Sequence, residues 1–135
     1  MKAFLAAAAL LAATLPLRAE EFISGVYAET PELCAKARGE GLGAVLEGGN
    51  VVLSARGIDG YEYHCDFVQV VKGTRTPGHV VLALCEEPGY AFPDTIAIFP
   101  RAEGQLQLTA QGDNGDESGG GNSGTFHLCE GVALP

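Results

Sequence analysis

The sequence predicts an all-β domain, a small antiparallel sandwich or barrel with one short N-terminal helix and two disulfides. Three observations predict it. Short stretches that alternate apolar and polar residues recur between turn residues, roughly every 8–12 positions. A single segment, Thr30 to Gly39, carries helix start and stop signals. Four cysteines, Cys34, Cys65, Cys85 and Cys129, form an even set.

Taken in order, residues 1–19 read as a secretory signal peptide. Lys2 gives a positive start, Ala3 to Leu15 is almost wholly Ala and Leu, and Ala19 is a small residue suited to cleavage. Residues 20–129 then read as one β domain and 130–135 as a disordered tail. Phe22 to Ala28 is a first strand. In the helix, Thr30 can cap, Pro31 fits the first position, Glu32 favours the positive end, and Lys36, Arg38 and Gly39 close the other end. Gly39 to Gly49 is glycine-rich, with Ala44-Val45-Leu46 as a weak strand. Val51 to Arg56 alternates, and Gly57-Ile58-Asp59-Gly60 joins it to the strand 61–71. There Tyr61, Tyr63, Cys65 and Phe67 share one face, and Glu62, His64 and Asp66 the other. Val68 to Val71 breaks this alternation, which predicts a bulge or two-sided burial.

Gly73 to Gly78 is turn material, and the apolar run His79 to Cys85 predicts a central strand. Thr95 to Phe99, between Pro93 and Pro100, predicts an edge strand. Arg101 to Gly104 turns into Gln105 to Ala110, whose Leu106 and Leu108 face inward. Gly112 to Gly124 holds glycines and acids and no apolar residue, so it predicts a loop. Thr125 to Cys129 is the last strand, with Phe126 and Leu128 on one face.

The net charge is −9, and loss of Lys2 and Arg18 with the signal deepens it by two. That argues against nucleic acid and anionic membrane as partners. The partner classes it leaves are a cationic protein or a small ligand. No later segment is long and apolar enough for membrane insertion after signal cleavage.

In an exported chain the even cysteine count reads as two disulfides. The separations between successive cysteines are 31, 20 and 44 residues, unlike the close pairs of zinc sites. Of the three possible pairings, the favoured one is Cys34–Cys65 with Cys85–Cys129. The first would tie the helix to the core face of the central hairpin, and the second would bracket the glycine-rich loop.

Chemistry-bearing constellations are sparse. Glu62, His64 and Asp66 would stand about 6.8 Å apart along one strand face, too wide for one ion without help from a neighbouring strand. A solvated polar face accounts for the same row. Asp113, Asp116 and Glu117 resemble a calcium loop, but Gly115 stands where a side-chain ligand is needed. These remain the metal candidates, and no metal site is assigned. His64 beside Cys65, and His127 near Cys129, would need a free thiolate to act as nucleophiles, which disulfide pairing removes. Ser118 and Ser123 lack the G-x-S-x-G context. No haem, phosphate-loop or dinucleotide motif occurs, so no cofactor is expected. Tyr61, Tyr63, Tyr90 and Phe92 suit a groove lining or ordinary core and rim packing.

Five features set a recognisable layout: Gly25-Val26-Tyr27, Thr30-Pro31-Glu32-Leu33-Cys34, Gly60-Tyr61-Glu62-Tyr63-His64-Cys65, Cys85, and Phe126-His127-Leu128-Cys129. In this the chain resembles a loose group of small exported proteobacterial proteins with four cysteines, over nearly all of the sequence after the signal. The resemblance implies a periplasmic, disulfide-bonded β domain and implies no activity. The acidic 112–124 loop lies outside that layout.

The expectation is therefore a periplasmic or secreted binding and interaction module without catalytic residues. The alternatives are a metal-binding protein or metal-dependent enzyme using Glu62, His64 and Asp66 or the acidic loop, and a structural envelope component.

Overall fold

Alternating stretches become strands here, and the chain closes them into a ring. The computed structural model describes residues 21–112 and 121–135. The elements are β1 (Tyr27–Ala28), α1 (Pro31–Glu40), α2 (Leu42–Glu47), β2 (Val52–Ser54), β3 (Gly57–Gly60), β4 (Tyr63–Lys72), β5 (His79–Glu87), β6 (Tyr90–Pro100), β7 (Gln105–Ala110) and β8 (Gly124–Leu128). Each strand pairs antiparallel with the next, and β8 returns to β1, giving a closed up-and-down barrel. Of sandwich and barrel, the barrel is the one formed.

The interior is filled by side chains. Leu53, Ile58, Val81, Ile96, Ile98, Leu108 and Phe126 are fully buried in one cluster. Tyr27 belongs to it, and burial pushes its phenol pKa up. A second cluster, Val26, Ala37, Val45 and Val52, lies outside the ring beneath the helices. The helical crossover thus covers the outer wall at β1 and β2.

The helix signals hold. The Thr30 hydroxyl accepts from the Leu33 N–H at 3.2 Å, and Pro31 begins α1. The helix runs one residue past Gly39, to Glu40, because the stop is Gly41, whose φ is 90°. Its N–H donates to the Ala37 carbonyl at 3.0 Å.

Ala44 to Leu46 corrects the sequence reading: it is helix, within α2, and not a weak strand. Leu42, Val45 and Leu46 recur at helical spacing and pack onto the outer cluster. The ring has no place for another strand there, since β1 pairs directly with β2.

Residues 57–60 were expected as a turn and instead form β3, paired on both sides. Gly57 is what permits it, because a Cβ there would overlap the Cys65 carbonyl oxygen. The turns fall at Ala55-Arg56 and at Tyr61-Glu62, where Glu62 has a φ of 53°. The first strand is shorter than expected: only Tyr27 and Ala28 pair, while Phe22 and Ile23 turn into the end of the barrel.

Nor is β6 an edge strand, for it pairs with β5 and β7. Its prolines sit where no ladder bond is needed. Thr95 points its backbone to the β7 side, accepting from the Gln111 N–H at 2.9 Å, so Pro93 points there too, before β7 pairing begins at Ile96. Pro100 faces β5 beyond its last partner, His79.

Of the bulge and the two-sided burial expected for Val68 to Val71, a bulge is what forms. Gln69 pairs with Leu82, but Phe67 pairs with Ala83. The extra residue, Val68, brings Tyr63, Cys65 and Phe67 to the inner face. Were Val68 paired with Ala83 in a regular ladder, Cys65 would stand opposite Glu86 and point outward.

This register corrects the disulfide pairing. The bonds are Cys65–Cys85 and Cys34–Cys129. Cys65 and Cys85 are direct cross-strand partners, with Cα atoms 3.9 Å apart. Cys34 on α1 meets Cys129 at the exit of β8, in a small cluster with Ala28. Residues 130–135, expected as a disordered tail, carry Val132 and Leu134 against the outer cluster.

Candidate functional site

An up-and-down ring sorts its connections. The β2–β3, β4–β5 and β6–β7 turns lie at one end, here the upper end. The remaining connections lie at the lower end. Arg56, Lys72, Arg75 and Arg101 all fall in or beside upper turns. Lower turns and strand ends carry Asp59, Glu62, Glu86 and Glu87. The upper end thus gathers four cations, with Glu103 in the β6–β7 turn and Glu21 at the mouth beside them.

The upper mouth is an open cleft of about 730 Å³, a volume typical of small-molecule sites. Phe22 lies in it, its ring 5.9 Å from that of Phe67 and 5.2 Å from that of His79. Val70 adds apolar surface, and Arg56 and Lys72, with one carboxylate, Glu21, complete the charged wall. Lys72 and His79 are cross-strand partners on the face that points inward lower down, so both reach over the mouth. Neither Arg56 nor Lys72 forms an ion pair among the described residues. Two cations and three rings around one concave surface suit an anionic group attached to an apolar body.

The lower end is closed by a polar cluster that the sequence reading missed. Asp94 is buried, and its carboxylate accepts from the Thr95 N–H at 2.8 Å, the Gly112 N–H at 3.0 Å and Asn122 Nδ2 at 2.9 Å. Asn122 Oδ1 accepts from the Tyr63 hydroxyl at 2.7 Å, and Asn122 Nδ2 lies 3.4 Å from Cys65 Sγ. Asp94 therefore holds both ends of the acidic loop, Gly112 and Asn122. A fully satisfied buried network of this kind fixes structure. Asn122→Ala is expected to cost about 1–3 kcal/mol, because it removes the donor to Asp94 Oδ2 and the oxygen that accepts from the Tyr63 hydroxyl. Urea unfolding of the variant measures this, and a cost below about 0.5 kcal/mol would remove the clamp.

The expected row of Glu62, His64 and Asp66 does not assemble. Glu62 stands in the turn before β4 with a positive φ, off the strand face. His64 instead meets Glu86 across the strands at 3.5 Å, with both side chains well exposed. Asp66 lies opposite Leu84 and Gly57. Among the described residues no three His, Cys, Asp or Glu side chains gather as a metal set. Asp113, Asp116, Glu117 and Ser118 lie outside the described residues. Tyr61 is exposed in a turn, and Tyr90 stacks on Phe92 with centroids 5.4 Å apart. All four cysteines are oxidised, so no thiolate remains near His64 or His127.

The run His79 to Cys85 is the central strand expected, paired on both sides as β5, and it is buried on one face only. It alternates: Val81, Ala83 and Cys85 face inward, and Val80, Leu82 and Leu84 face outward on the wall opposite the helices. No protein-family model, curated protein or solved structure matches this chain. Among the described residues no helix is long and apolar enough to cross a membrane, and two disulfides fit an oxidising compartment.

Proposed function

We propose that this protein is a non-enzymatic binding module of the periplasm or the secreted space, taking a small amphipathic anion at the upper mouth of its barrel. The observation that carries the reading is the pair Arg56 and Lys72, which have no ion-pair partner among the described residues, outnumber the one carboxylate of the mouth, Glu21, and stand beside Phe22, Phe67 and His79. The Ala/Leu run after Lys2 and the oxidised cysteines support an exported setting. A rigid, filled barrel supports binding at its rim rather than inside it. A monocarboxylate with a hydrocarbon tail matches the mouth in charge and polarity, and the acidic lower end disfavours the same ligand there.

Thermal unfolding with decanoate, and with decanol as the uncharged match, tests this. At 100 times its dissociation constant, decanoate is expected to add about 2.7 kcal/mol of stability. Decanol is expected to add much less. The variant Arg56→Gln with Lys72→Gln is expected to weaken decanoate binding at least about tenfold, the loss of one or two charge-assisted contacts. No shift at millimolar decanoate, or equal shifts with decanol, would end the reading.

A further inference from the structure

The outer wall of β4, β5 and β6 carries a second feature, independent of the mouth. Val80, Leu82 and Leu84 point outward from β5, 49%, 42% and 48% exposed. Val71 stands across from Val80 on β4, and Ala97 across from it on β6. Phe99 extends the patch upward, its ring lying where a side chain on Gly78 would otherwise go. No charged residue interrupts this set, whereas the wall at β1 and β2 is covered by α1, α2 and the C-terminal residues. A single outward Leu on a barrel is unremarkable, but several adjacent ones without a charge mark an interaction surface.

We propose that this wall mates face to face with a second copy of the chain about a twofold axis passing near Leu82. The closed ring offers no strand edge, so a partner has to pack on the face of the sheet and not add a strand. The charges choose the arrangement. Arg75 and Arg101 lie beyond the upper border of the patch, Glu86 borders it below, and Asp66 flanks Leu84 at its lower corner. An axis lying in the plane of the wall and perpendicular to β5 turns one copy head to tail against the other. Val80 of one copy then lies over Leu84 of the other, and each basic border faces an acidic one. A twofold along the strands would set like charges together, which is unfavourable. The wall measures about 30 Å by 15 Å from strand rise and spacing. Two such faces bury about 900 Å² in all, below the range of stable interfaces, so a weak dimer with a dissociation constant of tens of micromolar is expected.

Sedimentation of the chain lacking residues 1–19, from about 1 to about 200 μM, reads the equilibrium directly. The expected result is reversible dimerisation. Leu82→Glu is expected to weaken it on the order of 100-fold by burying two unpaired carboxylates at the axis. Leu84→Lys serves as a second disruptor should Leu82→Glu lose its circular dichroism. Thr109→Glu, exposed on β7 beside the patch, is expected to leave the dimer intact. Glu86→Lys is expected to weaken association, and adding Arg75→Glu to recover it. A monomer at 200 μM, or a dimer unmoved by both disruptors, would overturn the proposal. Indifference to Glu86→Lys would overturn the head-to-tail arrangement.

Discussion

Replacing Cys34 and Cys129 together by alanine is expected to lower the melting temperature by roughly 20 °C, the change for about 4–5 kcal/mol in a domain of this size. The reasoning starts from the chain. This bond joins residues 95 apart, so it closes nearly the whole domain into one loop. Loop-closure entropy then gives about 4.7 kcal/mol, acting mainly on the unfolded chain. The native side points the same way. β1 contributes only Tyr27 and Ala28 to close the ring between β8 and β2. The Cys129 N–H donates to the Val26 carbonyl at 2.8 Å beside that closure. Without the bond, the shortest strand in the ring must hold both seams on a few hydrogen bonds. The Cys65–Cys85 bond spans 20 residues, between strands that pair along most of their length, and its removal is expected to cost about 3 kcal/mol. Thermal and urea unfolding of the two double-alanine variants give the order. If the Cys65–Cys85 variant is the less stable, loop length does not govern these bonds.

Local signals in the sequence were read well where one element decides its own conformation. Gln105 to Ala110 alternates and is β7 without adjustment. Thr30 and Pro31 start a helix because cap and first position are chosen within four residues. What the sequence hid was relational. Gly57 to Gly60 reads as a turn until the strand facing it is known, and only then does the missing side chain at Gly57 explain a close approach. Arg56, Lys72 and His79 stand in three different segments, and the ring alone brings them to one mouth. Asn122 sits among glycines and acids in a stretch without hydrophobic signal, yet it is buried over a disulfide. The cysteine pairing failed for the same reason. Cys65 was placed on the correct face, but its partner depends on a register shift several residues away.

That dependence makes deletion of Phe67 and Val68 together the most severe change expected in this chain. Both residues stand opposite Ala83, so deleting Val68 alone leaves Gln69 on Leu82 and Phe67 on Ala83, and every side chain of β4 keeps its face. Val68 is 59% exposed, and Val68→Ala is expected to stay within about 0.5 kcal/mol of the parent. Deleting both residues takes one position from the ladder itself. Anchored by the Lys72–His79 end of the hairpin, β4 below the gap then slips by one residue and turns over. Cys65 faces outward opposite Leu84, and Cys85 loses its partner. Tyr63 leaves Asn122, and Phe22 loses the Phe67 ring. In their place His64 and Asp66 are driven toward the apolar interior, where neither has a partner. The lost disulfide alone costs about 3 kcal/mol, and the inverted burial at least as much again. Their sum rivals the whole stability of a small domain, commonly about 5–15 kcal/mol. Thiol titration under denaturing conditions and peptide mapping without reductant separate the outcomes. The double-deletion variant is expected to show reactive or mispaired Cys65 and Cys85 and no cooperative melt, while deletion of Val68 alone keeps the bond and the melt. A double-deletion variant that keeps the Cys65–Cys85 bond and melts with the parent would mean that β4 absorbs the gap at its upper end. The inward direction of Cys65 would then be imposed by the bond itself and not by the ladder.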